Sequence, residues 1–187
     1  DLGSGGSYPK SRGGGAVRNC LDSAEGLVVW AIGDYWPGKA QDAANRLKAD
    51  RRFTDRVQVT PERCFSGFDN YKQVIDSGVD LIVDAAPPGF RPLHFRYAVE
   101  KGKHVFMEKP VATCPAGVRM VIEAAKAAKA KGLGVVAGTQ RRHTPAIVET
   151  VKRIQGGALG QIVAAQGYYC SGRPWNREKQ TPAGATE

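Results

Sequence analysis

Short, almost wholly apolar runs recur along the chain and alternate with stretches of helical spacing. The runs cover residues 27–32, 80–85, 105–107, 133–137 and 162–165, with a shorter candidate at 57–59. Apolar residues at consecutive positions, rather than at every second one, predict strands covered on both faces. Between them lie candidate helices at 16–23, 68–75, 92–101 and 145–154. Pro37 opens another, with Ala40, Ala43, Ala44 and Leu47 on one face, and a further helix follows Pro115. Its predicted apolar face is Val118, Val121, Ile122, Ala125 and Ala128, and its closing lysines, Lys126, Lys129 and Lys131, suit the negative end of a helix dipole. In the 92–101 helix, Leu93, Tyr97 and Ala98 are the predicted packing residues and Gly102 the stop. Strands alternating with helices of ordinary length imply right-handed crossovers, hence an α/β fold with a parallel, doubly wound sheet.

That arrangement gives the chemistry a place. Asp34, Pro87-Pro88, Glu108-Lys109 and Gln140-Arg141-Arg142 all follow apolar runs, at the carboxyl ends of the predicted strands. Open α/β sheets bind ligands at that edge, and a dinucleotide lying across it accounts for all four. Asp34 is expected to bind the ribose hydroxyls, with a turn or helix-cap role as the lesser alternative. Tyr35 follows it, with no Arg or Ser to accept a 2′-phosphate, so NAD is expected rather than NADP.

Residues 1–15 hold six glycines. Gly3 and Gly5 can begin a phosphate-binding turn, because glycine admits positive φ and close backbone approach. The strand that ought to precede it is missing save for Leu2. Residues 7–11 interrupt the motif, so the glycines align only as Gly3, Gly5 and then Gly13, and a flexible glycine-rich terminus has the same appearance.

The 187 residues carry a formal charge of +9, but the cations are dispersed and no aromatic-and-basic ribbon forms. Nucleic acid is therefore not expected as a partner. No run approaches the roughly 20 apolar residues of a membrane span. The four cysteines are widely spaced and include no CxxC pair, so free thiols, no metal site and a cytoplasmic setting are expected. Cys114 reads as a small apolar residue and His94 as a packing or capping histidine. The chain opens at Asp1 without an initiator Met, so a native amino-terminal segment is expected to be missing, and an exported form stays open.

Gly102-Lys103-His104-Val105-Phe106-Met107-Glu108-Lys109-Pro110 closely resembles the GKHV-x-x-EKP signature of the glucose–fructose oxidoreductase / inositol 2-dehydrogenase (Gfo/Idh/MocA) family. Ala86-Pro87-Pro88, His94, Arg141-Arg142-His143-Thr144-Pro145 and Leu159-Gly160-Gln161-Ile162-Val163 are further points of likeness, which runs from about Ala16 to Tyr169. The resemblance implies a Rossmann domain over residues 1–142, with residues 143–187 forming a linker helix and the beginning of a truncated α/β domain. It implies hydride transfer between NAD and a sugar or polyol carbon. Lys109 is then the catalytic residue at the reacting hydroxyl, Glu108 either orients it or hydrogen-bonds the nicotinamide side of the site, and Pro110 fixes the loop, a cis bond being one way to do so; all three border the cofactor. Pro87 and Arg141 would line the cofactor. The family's catalytic histidine has no counterpart here, and His143 does not take its place. A homo-oligomer is expected of the full-length form. Two other readings remain open, a non-catalytic nucleotide-binding module and, weakest, a basic nucleic-acid-binding protein.

Overall fold

The computed structural model describes residues 12–168 and Cys170, which places Gly3 and Gly5 outside the described residues. The chain divides into two compact units, 1–139 and 140–187. The first contains α1 (Arg12–Ser23), β1 (Ile32–Asp34), α2 (Lys39–Lys48), β2 (Cys64–Ser66) and α3 (Asn70–Asp76). It continues with β3 (Leu81–Asp84), α4 (Arg91–Glu100), β4 (His104–Met107), α5 (Pro115–Ala130) and β5 (Val135–Ala137). The second holds α6 (Pro145–Gln155) after a short 3-10 turn, Gln140–His143.

Every strand pairing is parallel, as helical crossovers require. Among the described residues the strands form two sheets, β1-β2 and β3-β4-β5, rather than one. Each sheet has its own core. Val17, Leu21, Ile32, Ala44, Leu47 and Val59 pack between α1, α2 and the β1 sheet. Ile82, Phe95, Ala98, Val105, Met107 and Ala128 pack between α4, α5 and the β3 sheet. Phe95 alone, 1% exposed, contributes on the order of 2 kcal/mol by leaving water.

Several expectations from the pattern are corrected. The 57–59 run makes only an isolated bridge, Val57 to Val29, and the paired strand is β2, a Cys-Phe-Ser segment with no apolar run to announce it. On α4 the buried residues are Arg91, Pro92, His94, Phe95, Ala98 and Val99, while Leu93 is exposed. The face of α5 is turned part-way from the predicted one: Ala128 is buried and Val121 packs on the core as expected, but Gly117 and Ala124 are buried with them while Val118 and Ile122 are exposed. Small residues let α4 and α5 approach closely, which overrides the preference of the larger aliphatics. Residues 162–168 form no strand and are exposed, Val163 at 88%. A strand's backbone groups need a neighbouring strand, and none reaches them among the described residues. No helix is long and apolar enough to cross a membrane among the described residues.

Two polar devices close the β1 half. The Arg56 guanidinium donates to the carbonyls of Leu21 (2.9 Å), Ala24 (2.8 Å) and Leu27 (2.8 Å), covering the last turn of α1, where carbonyls lack helical partners. Asp50 accepts from Arg18 Nε (3.1 Å) and from Arg52 Nε and Nη2 (3.1 and 3.0 Å), tying α1 to the turn after α2. The hydrogen bonds from Arg52, then that from Arg18, lower the Asp50 carboxyl from 3.8 to about 2. A folded-state value below the unfolded one gives stability that is complete above about pH 4 and is lost as pH falls through about 2. In urea titrations between about pH 5 and pH 2, the midpoint of the native chain should therefore fall more steeply than that of Asp50→Asn. Parallel curves would show that the contact contributes nothing.

Candidate active site

β3 and β4 run in register, with Asp84 opposite Met107, so the two strands end together. The ladder continues one step beyond them: Glu108 N–H donates to Asp84 C=O (2.9 Å), and Gly138 N–H donates to Met107 C=O (2.8 Å). Asp84, Glu108 and Gly138 consequently stand side by side on one lip. Asp84 Oδ1 accepts from Ala86 N–H (3.0 Å), turning the chain into Pro87-Pro88, and Phe90 N–H donates to Pro87 C=O (3.0 Å) as α4 begins.

Four ionisable side chains are buried behind this lip: Asp84, Arg91, His94 and Glu108. Arg91 Nη1 donates to two backbone carbonyls, those of Glu108 (2.8 Å) and Pro110 (2.5 Å), which flank Lys109. The guanidinium thus grips the backbone on either side of Lys109 and leaves its side chain exposed. The Lys109–Pro110 bond is cis. Burial pulls Arg91 below the usual arginine range, and the carboxylates of Asp84 and Glu108 oppose the shift. His94 stacks on Tyr71 (centroids 4.3 Å apart) with Nδ1 3.4 Å from Asp84 Oδ2. Among the described residues Arg91 Nε has no hydrogen-bond partner, and Asp84 Oδ2, His94 Nδ1 and Glu108 Oε1 meet cationic or ring partners as ion-pair contacts without hydrogen-bond geometry. The cluster is held by charge and packing more than by saturated hydrogen bonding.

The Glu108 carboxylate, 2% exposed, points across to the amino end of α1, where Arg12 Nη2 lies 2.5 Å from Oε1. Its other side rests on Gly138. A Cβ there would come within 2.9 Å of Glu108 Oε2, so a larger residue would push the carboxylate aside. At the end of β1, Asp34 is buried and Oδ1 accepts from Trp36 N–H (3.0 Å). The turn role is therefore present, and the carboxylate does not stand open to solvent. Gly33 beside it is equally constrained, because a Cβ would meet Asn70 Oδ1 at 2.5 Å. Past the ends of β1, β2 and β3, exposed aromatic rings succeed one another: Tyr35 against Phe68 (4.7 Å) and Phe68 against Phe90 (6.4 Å).

Of the residues singled out in the sequence, Pro87, Glu108, Lys109 and Pro110 come together at the ends of β3 and β4. Asp34 ends β1, in the other sheet of the same unit. Gly13 is buried in the first turn of α1, a helix-packing position rather than an exposed loop. Arg141 lies in the 3-10 turn of the second unit and is exposed. Cys114 is not an apolar filler: it is exposed and its Sγ accepts Gly117 N–H (3.4 Å), capping α5. Arg12, Asp84 and Arg91 were not identified from sequence. Asp84 ends an apolar run as Asp34 does, a signal that pointed to it equally. An arginine in the first turn of a helix gives no such sign.

Replacing Arg91 by Leu should lower stability by roughly 2–4 kcal/mol, since it orphans two carbonyls and leaves the buried carboxylates uncompensated. Guanidinium melts check the magnitude. Amide exchange should show the loss concentrated in residues 108–111, and an effect spread evenly over the unit would contradict the clamp.

Residues 6–139 match the Gfo/Idh/MocA family, described as an oxidoreductase family with an NAD-binding Rossmann fold. The chain is 26% identical over 156 residues to the scyllo-inositol 2-dehydrogenase (NAD(+)) of Bacillus subtilis strain 168, covering 81% of this chain and 40% of that protein. It is 30% identical over 123 residues to the levoglucosan dehydrogenase of Pseudarthrobacter phenanthrenivorans, covering 62% and 30%. Among solved structures, myo-inositol 2-dehydrogenase from Lactobacillus plantarum superposes with a TM-score of 0.61 at 25% identity, over 79% of this chain and 39% of that one. The chain thus spans 30–40% of the length of these relatives. The parallel β/α order, the lip at the ends of β3 and β4, and the match over residues 6–139 place this chain in the Gfo/Idh/MocA oxidoreductase family, as its NAD-binding Rossmann part.

Proposed function

We propose that this chain is the cofactor-binding part, with the lysine arm of the active site, of a dehydrogenase that oxidises a hydroxyl carbon of a sugar or cyclitol. The observation that carries the reading is the Arg91 grip on the carbonyls of Glu108 and Pro110, which fixes Lys109 at the carboxyl ends of β3 and β4, the edge at which open α/β sheets bind ligands. The names of the relatives, inositol and levoglucosan dehydrogenases, support the substrate class.

The residues present fit NAD. The Arg12 guanidinium, 56% exposed at the amino end of α1, adds charge to the helix dipole where a pyrophosphate is stabilised. The exposed rings of Tyr35, Phe68 and Phe90 offer flat apolar surface for a base. Asp34, once freed from its turn, and Pro87 flank the ribose side. Bound NAD supplies the acceptor for the hydride that leaves the substrate C–H bond. The hydroxyl proton must leave as well, and Lys109 Nζ takes it in its neutral form, so that alcohol becomes ketone with charge balanced. Glu108 holds Arg12 and the loop geometry, and Pro110 keeps Lys109 turned outward. We place the end of the cofactor domain at residue 142, with residues 143–187 leading into a second domain that sets substrate choice. Arg141 at that junction contacts the cofactor, and the whole enzyme is a homo-oligomer.

Fluorescence titration should show saturable NADH binding by this chain, with weaker binding of NADPH. Lys109→Ala should leave NADH affinity within about threefold in the whole enzyme while lowering kcat by roughly 10²–10⁴-fold, the usual weight of a positioned acid–base group. Normal turnover in that variant removes Lys109 from the chemistry. NADH binding without turnover on any sugar or cyclitol would favour a nucleotide-binding module instead.

A further inference from the structure

α4 and α5 each carry the chain from the carboxyl end of one parallel strand back to the start of the next, so the two helices run in the same direction. They pack closely, and contacts at both ends fix their register. A Cβ at Gly117 would meet Pro92 Cγ at 3.1 Å, and Lys131 Nζ donates to the carbonyls of Val99 (2.7 Å) and Glu100 (3.2 Å). Between these contacts an open groove of about 450 Å³ follows the line where the helices meet. Its floor is apolar, made by Val99, Met120, Ala124 and Ala127. Its rims are charged, and in the same order on both helices. Arg96 stands one turn before Glu100 on α4, and Arg119 one turn before Glu123 on α5. All four of these residues are exposed. Arg96 and Glu100 approach only to 3.6 Å, and neither Arg119 nor Glu123 has an ion-pair partner among the described residues.

We propose that this groove is the interface of a two-fold dimer, its occupant being the same α4–α5 face of a second copy of the chain. The order of the charges selects both the occupant and its orientation. A two-fold axis lying across the helices reverses their direction and sets α4 against α4 and α5 against α5. Arg96 then faces the partner's Glu100 and Arg119 the partner's Glu123, and symmetry makes each pair twice. An axis running along the helices would set Arg96 against the partner's Arg119 and Glu100 against the partner's Glu123, bringing like charges together. A partner of one charge sign, such as nucleic acid or an acidic peptide, would be repelled by half of the rim. The floor suits a second helix pair, because alanines let backbones approach and the unbranched Met120 side chain adapts to fill what remains. Lys131 leaves the pattern intact, since α4 carbonyls already engage its ammonium. The groove lies along the helices rather than at the strand ends, so this interface does not rest on the oxidoreductase reading.

Sedimentation equilibrium of the 187-residue chain should show a monomer–dimer equilibrium that weakens as salt rises from about 0.05 to about 0.5 M. Arg119→Glu leaves only carboxylates on the α5 rim, and Glu123→Arg leaves only guanidinium groups. Each variant alone should dimerise at least about tenfold more weakly than the native chain, since like charges then meet across the axis. An equimolar mixture of the two should recover dimers to within about threefold of the native affinity, because each supplies the charge that the other lacks. Destabilised subunits would not rescue one another in this way. Both positions are exposed, and an unchanged Tm checks that folding is intact. Should either variant misfold, Arg96→Glu and Glu100→Arg provide the same cross. A native chain that stays monomeric up to about 1 mM overturns the proposal. So do dimers that the single variants leave unchanged, which would form through another surface, and a mixture that associates no more tightly than its parents. None of these readouts involves NAD, so failure of the proposed cofactor role would leave them untouched.

Discussion

The guanidinium of Arg91 is the contact on which the lip depends. It is buried, it is charged, and its hydrogen bonds go to backbone carbonyls rather than to a carboxylate. Carbonyl acceptors do not neutralise it, so Asp84 and Glu108 must remain close enough to supply the opposite charge, as their effect on Arg91 shows. A buried cation without such neighbours would cost several kcal/mol. The cluster is thus mutually conditional: the carboxylates are tolerable because of Arg91, and Arg91 because of them. The result is a loop whose backbone is fixed from behind while Lys109 remains accessible from the front.

The register of β3 and β4 is what allows one arginine to do this. Asp84 and Met107 are Cα partners, so the turn after β3 and the loop after β4 leave the sheet at the same height. A slip of one residue would carry Glu108 to the opposite face and remove it from Gly138. The glycine in turn leaves space for the carboxylate just past the end of β5. Local sequence, sheet register and electrostatics therefore converge on one small volume.

Much of the fold was legible in the sequence because parallel strands buried on both faces write themselves as apolar runs, and the runs at 80–85 and 105–107 both mark observed strands. β2 was not legible, since a three-residue strand whose side chains are only partly buried leaves no run to read. The outward face of α5 failed for a different reason. Periodicity assigns the larger aliphatics inward, yet helix α4 lies close enough that Ala124, Ala128 and Gly117 fit and Ile122 does not. At the site, Glu108 and Lys109 were visible because charge at the end of an apolar run is unusual. Arg91 and Arg12 were invisible, because an arginine near a helix start is ordinary until the carbonyls and carboxylate it meets are known.

The contact between Arg12 and Glu108 joins these points into a statement about the whole lip. α1 packs on the β1 core through Val17 and Leu21, whereas Glu108 belongs to the β3 sheet. The two sheets share no backbone pairing among the described residues, so the spacing between Asp34 and Asp84 is not set by a ladder. It is set by side chains reaching across, of which this ion pair sits nearest the strand ends. An ion pair with one half-exposed partner is a soft constraint, worth on the order of 1 kcal/mol and weakened by salt. Backbone pairing, as between β3 and β4, is a stiff one. The spacing between the ends of β1 and β3 therefore yields more readily than the alignment of Asp84 with Met107, which the ladder fixes.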